Sequence, residues 1–230
     1  QHMLEAMRIC QQKGVSELSG IGIDTWGVDF GLIGPYGRLL RNPICYRDRQ
    51  TEGIEYHVRQ KIEEQSFYQL TGFVPGRVAT LSQLIALKNG PGKKLLEVAQ
   101  SLLMTPDLFR YFLSGNKGSE ITILGSSQLL NVSTGDWCRE IFDLFEIPIS
   151  LMPPIVKIGS VAGELLPEVC QETGIRAASV MVTAGHDTLS AATAVPYINP
   201  DSVFLSSGTW SVFGIITDKP YTTPEARKIG

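Results

Sequence analysis

The sequence predicts a layered α/β protein, and two observations carry that prediction. First, Ala178-Ser179-Val180-Met181-Val182-Thr183 is uncharged and rich in Val, Met, Thr and Ala, the composition of a strand covered on both faces as in a parallel sheet. Second, that strand runs through Gly185 into His186-Asp187 and then into Leu189 to Val195, small and apolar enough to start a helix. Asp187 therefore stands at the carboxyl end of a strand, where open α/β sheets place ligands. Spacing alone leaves two readings open. Either Asp187 or Thr188 caps the helix with His186 packed beside it, or Asp187 is a carboxylate presented for chemistry.

In chain order, Leu4, Met7, Ile9 and Cys10 fall near helical spacing, and Gly14 supplies the stop. Gly20 to Ile33 holds two short apolar strands, Pro35-Tyr36-Gly37 turns toward Leu39-Leu40, and Pro43-Ile44-Cys45-Tyr46 reads as a third strand leading into Arg47-Asp48-Arg49. That charged trio is a surface cluster or a strand-end ion pair. Trp26-Gly27 has two readings. A glycine beside a flat aromatic ring lets a sugar approach the backbone, and the same pair also suits a strand bend with a core tryptophan.

From Thr51 to Gly115 the pattern is helical, broken at Gly90-Pro91-Gly92, resumed over Leu95 to Leu103, and reopened at Thr105-Pro106-Asp107. Ile141, Leu144 and Phe145 mark an amphipathic helix stopped by Pro148, and Pro153-Pro154-Ile155-Val156 reads as an extended linker. Ile158 to Gly163 and Leu165 to Cys170 lead through a helix to Gly174. Ser202 to Leu205 and Val212 to Thr217 form a hairpin around Ser206-Ser207-Gly208-Thr209-Trp210-Ser211. Such a loop can wrap anionic oxygens with its N–H groups, or simply join two strands.

Composition bounds the function. The 230 residues, 43% hydrophobic, suffice for one good core or two modest ones. With 20 basic against 23 acidic residues the net charge is −3, and no Lys/Arg stripe offers a grip on a phosphate backbone, so no nucleic-acid partner is expected. No apolar run approaches the roughly 18 residues of a membrane span, and the first residues lack an export pattern, so a cytoplasmic protein without a membrane partner is expected. Cys10, Cys45, Cys138 and Cys170 show no paired spacing and read as reduced, mostly buried thiols.

Four segments now accumulate in a fixed order: Gly22-Ile23-Asp24-Thr25-Trp26-Gly27-Val28-Asp29-Phe30, Tyr46-Arg47-Asp48, Gly185-His186-Asp187-Thr188, and Leu205-Ser206-Ser207-Gly208-Thr209-Trp210-Ser211. Lesser matches lie at Thr80 to Leu84, Leu103 to Asp107 and Ser126 to Asn131. In these segments the chain resembles the carbohydrate kinases that share the two-domain actin/hexokinase-like (ribonuclease H-like) ATPase fold. The stretch from Asp24 to Phe30 is similar to their rhamnulose-phosphorylating branch.

The resemblance implies a phosphotransferase that takes a sugar and ATP, with L-rhamnulose the expected acceptor and L-rhamnulose 1-phosphate the product. It implies Asp187 as the general base, a sugar pocket of Gly27, His186, Asp187 and Thr188, and ATP phosphates at Gly208 and Thr209. Mg²⁺ would arrive with ATP and need only one or two protein carboxylates, here unassigned. It further implies that residues 1–190 are most of a first, sugar-binding domain and that 191–230 begin a nucleotide-binding one. A monomer is expected.

Two departures accompany the matches. Nothing before Gly20 resembles the strand-turn-strand with an Asp-x-Gly phosphate loop, and only the first hairpin of the second domain is present. The expectation is a piece of a kinase that does not turn over ATP by itself; His2-Met3 resembles a cloning scar, or is native. The alternatives are a kinase for another ketose, such as fuculose or xylulose, and a truncated domain that binds sugar or a partner without catalysis.

Overall fold

The computed structural model describes residues 1–196, 202–208 and 210–229; Thr209, assigned above to ATP, lies outside the described residues. The chain begins with α1 (His2–Gln12), whose stop at Gly14 takes the expected left-handed backbone, φ 90°. Of the two short strands expected between Gly20 and Ile33, β2 (Phe30–Ile33) lies within that stretch, whereas β1 (Glu17–Ile21) begins three residues earlier and shares only Gly20 and Ile21 with it. Residues 43–46 are not a strand. Pro43 has no N–H to give to a ladder.

Helices α2 (Ile54–Lys61), α3 (Glu64–Thr71), α4 (Thr80–Asn89) and α5 (Lys93–Val98) follow. The helical reading of Leu95 to Leu103 is corrected at its end. β3 (Ser101–Met104) is a strand with all four residues buried, antiparallel to β2 with Phe30 opposite Met104. A short apolar run carries no period, and partner contacts decide between helix and strand. α6 (Thr105–Ser114) ends on Gly115 at φ 72°, as its sequence implies.

β4 (Ser119–Glu120) leads into α7 (Ile121–Gly125), and β5 (Leu130–Asn131) pairs with β6 (Asp136–Trp137). α8 (Arg139–Phe145) ends two residues before Ile147-Pro148. The linker reading of 153–156 needs amendment, because β7 (Ile155–Val156) pairs in parallel with β4. Then come β8 (Val161–Glu164), α9 (Pro167–Thr173), β9 (Ala177–Met181) and α10 (Asp187–Thr193). The hairpin is β10 (Val203–Ser207) with β11 (Ser211–Ile215), followed by α11 (Pro224–Ile229).

β9 is the middle strand of a mixed sheet, ordered β1-β9-β8, parallel to β1 and antiparallel to β8. Its burial is one-sided. Ala178 and Val180 are buried, whereas Ser179 and Met181 are only partly covered, and the Ser179 hydroxyl donates to Glu164 at 2.8 Å. The expected covering of both faces is thus corrected to one.

The larger core lies among the helices, where Phe67, Leu81, Leu84, Leu102, Ile123 and Phe142 are sealed from water. Truncating Phe67 or Phe142 to alanine would cost about 3–5 kcal/mol. A smaller core, with Leu113, Ile175 and Val180, backs the sheet under α1 and α9. Cys138 is buried and Cys170 partly so, but Cys10 and Cys45 are exposed, which corrects the reading of mostly buried thiols. The hairpin β10-β11 pairs only with itself among the described strands and leaves Leu205 and Phe213 exposed. α11 docks on α3, where Arg227 donates to Gln65 at 2.8 Å.

Candidate active site

Parallel pairing of β1 with β9 brings two distant motifs together. Beyond the strands the segments continue side by side: Thr25 N–H donates to the Gly185 carbonyl at 2.9 Å, and Asp187 N–H to the Thr25 carbonyl at 2.8 Å. The Thr183 hydroxyl fastens the same seam, donating to the Ile23 carbonyl at 2.9 Å. Trp26-Gly27 and His186-Asp187, some 160 residues apart in sequence, become neighbours.

Gly27 makes that approach possible. A Cβ built on it would lie 2.7 Å from Ser126 Oγ and 2.8 Å from His186 Nε2. The imidazole and the hydroxyl thus converge over a bare backbone. Ser126 sits in a stretch the sequence had matched without assigning it a role, and its part becomes visible only in space.

The N-cap of α10 is His186, not Asp187 or Thr188, so the capping alternative is corrected by one residue. Thr188 N–H is shared between Asp187 Oδ1 at 2.7 Å and His186 Nδ1 at 3.3 Å. With Nδ1 accepting, the ring proton resides on Nε2, the nitrogen that faces Gly27 and Ser126. His186 Nδ1 also lies 3.1 Å from Asp187 Oδ1, a separation that the shared Thr188 donor accounts for without an ion pair. The Asp187 side chain is 55% exposed and that of His186 22%. Asp187, His186, Thr188 and Gly27 therefore share one place, with the carboxylate open to solvent.

Below the turn is a buried acid the sequence gave no reason to single out. Glu120 is fully buried; Oε2 accepts from Gly185 N–H at 2.7 Å and from the Thr122 hydroxyl at 2.5 Å, while Oε1 accepts from Thr122 N–H at 2.7 Å. The Thr122 hydroxyl accepts in turn from His186 N–H at 3.2 Å. Two backbone donors of the His-Asp turn thus end on one carboxylate, directly or through one hydroxyl.

Asp107, also fully buried, lies 2.8 Å from Arg110 without the alignment of a hydrogen bond. Burial pushes its carboxyl up to about 7, Arg110 pulls it down, and nearby Glu120 adds to the rise. Asp29 is 4% exposed. Burial raises its pKa, against the Trp26 indole N–H, the Tyr46 backbone N–H and Gln83. Between Gly27 and Asp29, Val28 holds φ 68°, a left-handed conformation costing a β-branched residue about 1–2 kcal/mol.

Of the two residues assigned to the nucleotide, Gly208 is among the described residues. Gly208 lies at the hairpin tip, and its N–H is used to close the turn on the Trp210 carbonyl at 3.0 Å, so it is not a spare donor for phosphate. The Ser207 and Ser211 hydroxyls, 3.2 Å apart, remain as polar groups near the tip. The described contacts do not join Gly208 to the Asp187 cluster, although β10 packs along α10. Among the described residues no group of three or more His, Cys, Asp or Glu is arranged to hold a metal ion, and no helix is long and apolar enough to cross a membrane.

The chain is 36% identical over 228 residues to a rhamnulokinase of Bacteroides thetaiotaomicron, covering 99% of this chain and 47% of that protein. It is 37% identical over 227 residues to a rhamnulokinase of Pectobacterium carotovorum, covering 98% and 43%. The chain thus spans less than half the length of these relatives. In structure it is similar to a ligand-bound xylulose kinase from Lactobacillus acidophilus, TM-score 0.87 and 22% identity, covering 97% of this chain and 46% of that one. A glycerol kinase from Plasmodium falciparum superposes with TM-score 0.71 at 16% identity, over 80% of this chain and 38% of that one. The fold is the actin/hexokinase-like fold of the sugar kinases. Residues 1–194 match the description "FGGY family of carbohydrate kinases, N-terminal domain", and the chain belongs to that family.

Proposed function

We propose that this chain supplies the sugar-binding part of an ATP-dependent ketose kinase that converts L-rhamnulose to L-rhamnulose 1-phosphate. Residues 1–190 form the sugar-binding domain in this reading, and 191–230 begin the nucleotide-binding one. The observation that carries it is the parallel seam that sets an exposed Asp187 carboxylate beside His186 and the bare backbone of Gly27. The rhamnulokinase relatives support the choice of ketose.

In the mechanism a sugar hydroxyl lies against the Asp187 carboxylate. Its oxygen attacks the terminal phosphorus of ATP, the bond from that phosphorus to the ADP oxygen breaks, and the hydroxyl proton passes to Asp187. The His186 Nε2–H is the donor available to a neighbouring sugar oxygen. Thr188, whose N–H fixes the Asp187 carboxylate, sets the angle of the base. Mg²⁺ bound with the nucleotide would shield phosphate charge, and no residue of this chain is assigned to hold it. Thr209 completes the nucleotide contact in this reading.

The test is Asp187→Asn in the complete kinase that carries this chain, with product followed by a coupled ADP assay. A loss of about 10²–10⁴ in kcat is expected. Turnover near that of the unaltered enzyme would remove Asp187 from the role of base. The ketose is tested by comparing kcat/KM for L-rhamnulose, fuculose and xylulose, since a site built to bond one hydroxyl pattern rejects the others.

A further inference from the structure

We propose that the exposed indole of Trp26 is the apolar wall against which the ketose lies, and that buried Asp29 is the positioning residue that fixes the angle of that wall. The inference rests on the sugar-kinase reading and adds a specificity-determining pair to it.

Trp26 is 50% exposed and immediately precedes Gly27, the residue over which His186 and Ser126 converge. A tryptophan so open to water would ordinarily leave its N–H to solvent. Here the indole Nε1–H donates inward, to Asp29 Oδ2 at 2.9 Å. The ring is therefore tethered at its polar edge while half of the residue stays open to water.

The backbone between the two residues is clamped. Asp29 N–H donates to the Gly27 carbonyl at 2.9 Å, a tight turn that forces Val28 to φ 68°. The Val28 carbonyl accepts from the Thr80 hydroxyl at 2.8 Å and from Gln83 Nε2 at 3.1 Å. The Asp29 carbonyl accepts from both Thr105 N–H and Thr105 Oγ1 at 3.0 Å. Four donors from α4 and α6 thus hold a strained turn whose geometric result is one side chain in and one out.

Stability does not account for the arrangement. Asp29 Oδ1 is buried without a hydrogen-bond partner among the described residues, which is unfavourable for a carboxylate. An apolar side chain would fill the same space at less cost but would release the indole. A flat ring held rigid next to Gly27, in the segment whose Thr25 bonds the Asp187 backbone, suits the C–H face of a sugar, whose hydroxyls point around the rim. Rigid placement spares the entropy that a freely rotating ring would lose on binding.

The experiment uses the complete kinase with Asp187 intact, assayed with L-rhamnulose and ATP. Trp26→Ala should raise KM for the sugar about 10-fold or more, with kcat within a few-fold of wild type, as expected for loss of one apolar wall. Asp29→Leu should raise the same KM, and Asp29→Asn, whose Oδ1 can still accept from Nε1–H, should restore most of it. Saturating sugar should change tryptophan emission in wild type, and Trp26→Phe should abolish that change. An emission change that survives Trp26→Phe, or an unaltered KM in Trp26→Ala, overturns the wall. Asp29→Asn as impaired as Asp29→Leu overturns the tether. Failure of the kinase reading shows separately, as absence of sugar-dependent ADP formation by the unaltered enzyme.

Discussion

Gly27 and His186 share one volume: a methyl group on the glycine would stand 2.8 Å from Nε2 of the imidazole and 2.7 Å from Ser126 Oγ. The serine hydroxyl can rotate away from its bond to the Ile123 carbonyl. The imidazole cannot move without leaving Thr188 N–H, so Gly27→Ala should displace His186. Sugar affinity should fall at least about 10-fold and stability by about 1–3 kcal/mol, the usual cost of overpacking. Calorimetric titration with ketose reads the first and urea denaturation the second. Unchanged affinity would mean that the imidazole takes no part in binding.

Glu120 ties Gly185 and, through Thr122, His186 to the protein interior. Glu120→Gln replaces one accepting oxygen by an amide that has no use for another donor, so at least one buried N–H or O–H loses its partner. A stability loss of about 1–3 kcal/mol is expected. Because the turn carries Asp187, kcat should also fall by roughly 10–100-fold with little change in KM for ATP. A variant that is less stable but turns over normally would reduce Glu120 to a strut.

Asp107 gives the fold a pH dependence of definite sign. Its carboxyl is raised from 3.8 to about 7, so the folded chain holds a proton that the unfolded chain releases near pH 4. Stability from this group is complete below the unfolded value and is lost as pH rises toward 7, by up to about 1.4 kcal/mol per pH unit, and is flat above. Asp29, raised by burial, acts in the same direction. Glu63, Glu64 and Glu146 are held below 4.5 by backbone N–H groups or by basic side chains, and their contribution is lost only as pH falls through that region. Urea midpoints should therefore peak near pH 5 and decline toward pH 7. Asp107→Asn should flatten the decline, whatever its absolute cost beside Arg110. A midpoint that climbs from pH 5 to pH 7 contradicts the assignment.

The elements legible in sequence were those with local physics behind them. Gly14, Gly115 and Gly174 all adopt positive φ at helix ends, where only a residue without Cβ is unstrained. The 203–215 hairpin followed from two apolar runs about a Ser-Gly turn. Ser101 to Met104 is not legible in this way, because four buried residues look alike in a helix and in a strand, and only the antiparallel partner Phe30 to Ile33 distinguishes them. Asp187 at the mouth of a strand was legible in the same local way. The supporting acids Glu120, Asp107 and Asp29 were not, since nothing in a chain marks which carboxylates will lose their water.

By itself the sequence determined the helix ends at Gly14, Gly115 and Gly174, the 203–215 hairpin, the motif at Gly185 to Thr188 and the kinship with sugar kinases, all properties of neighbouring residues or of their order. Tertiary structure alone decided that Thr25 lies against Gly185 and Asp187, that Gly27 clears space for His186, and that Trp26 is tethered from beneath. Those relations depend on β1 and β9 pairing in parallel across 160 residues. Hydrogen bonds and exclusion of atoms act through space, and their geometry exists only once the sheet has formed.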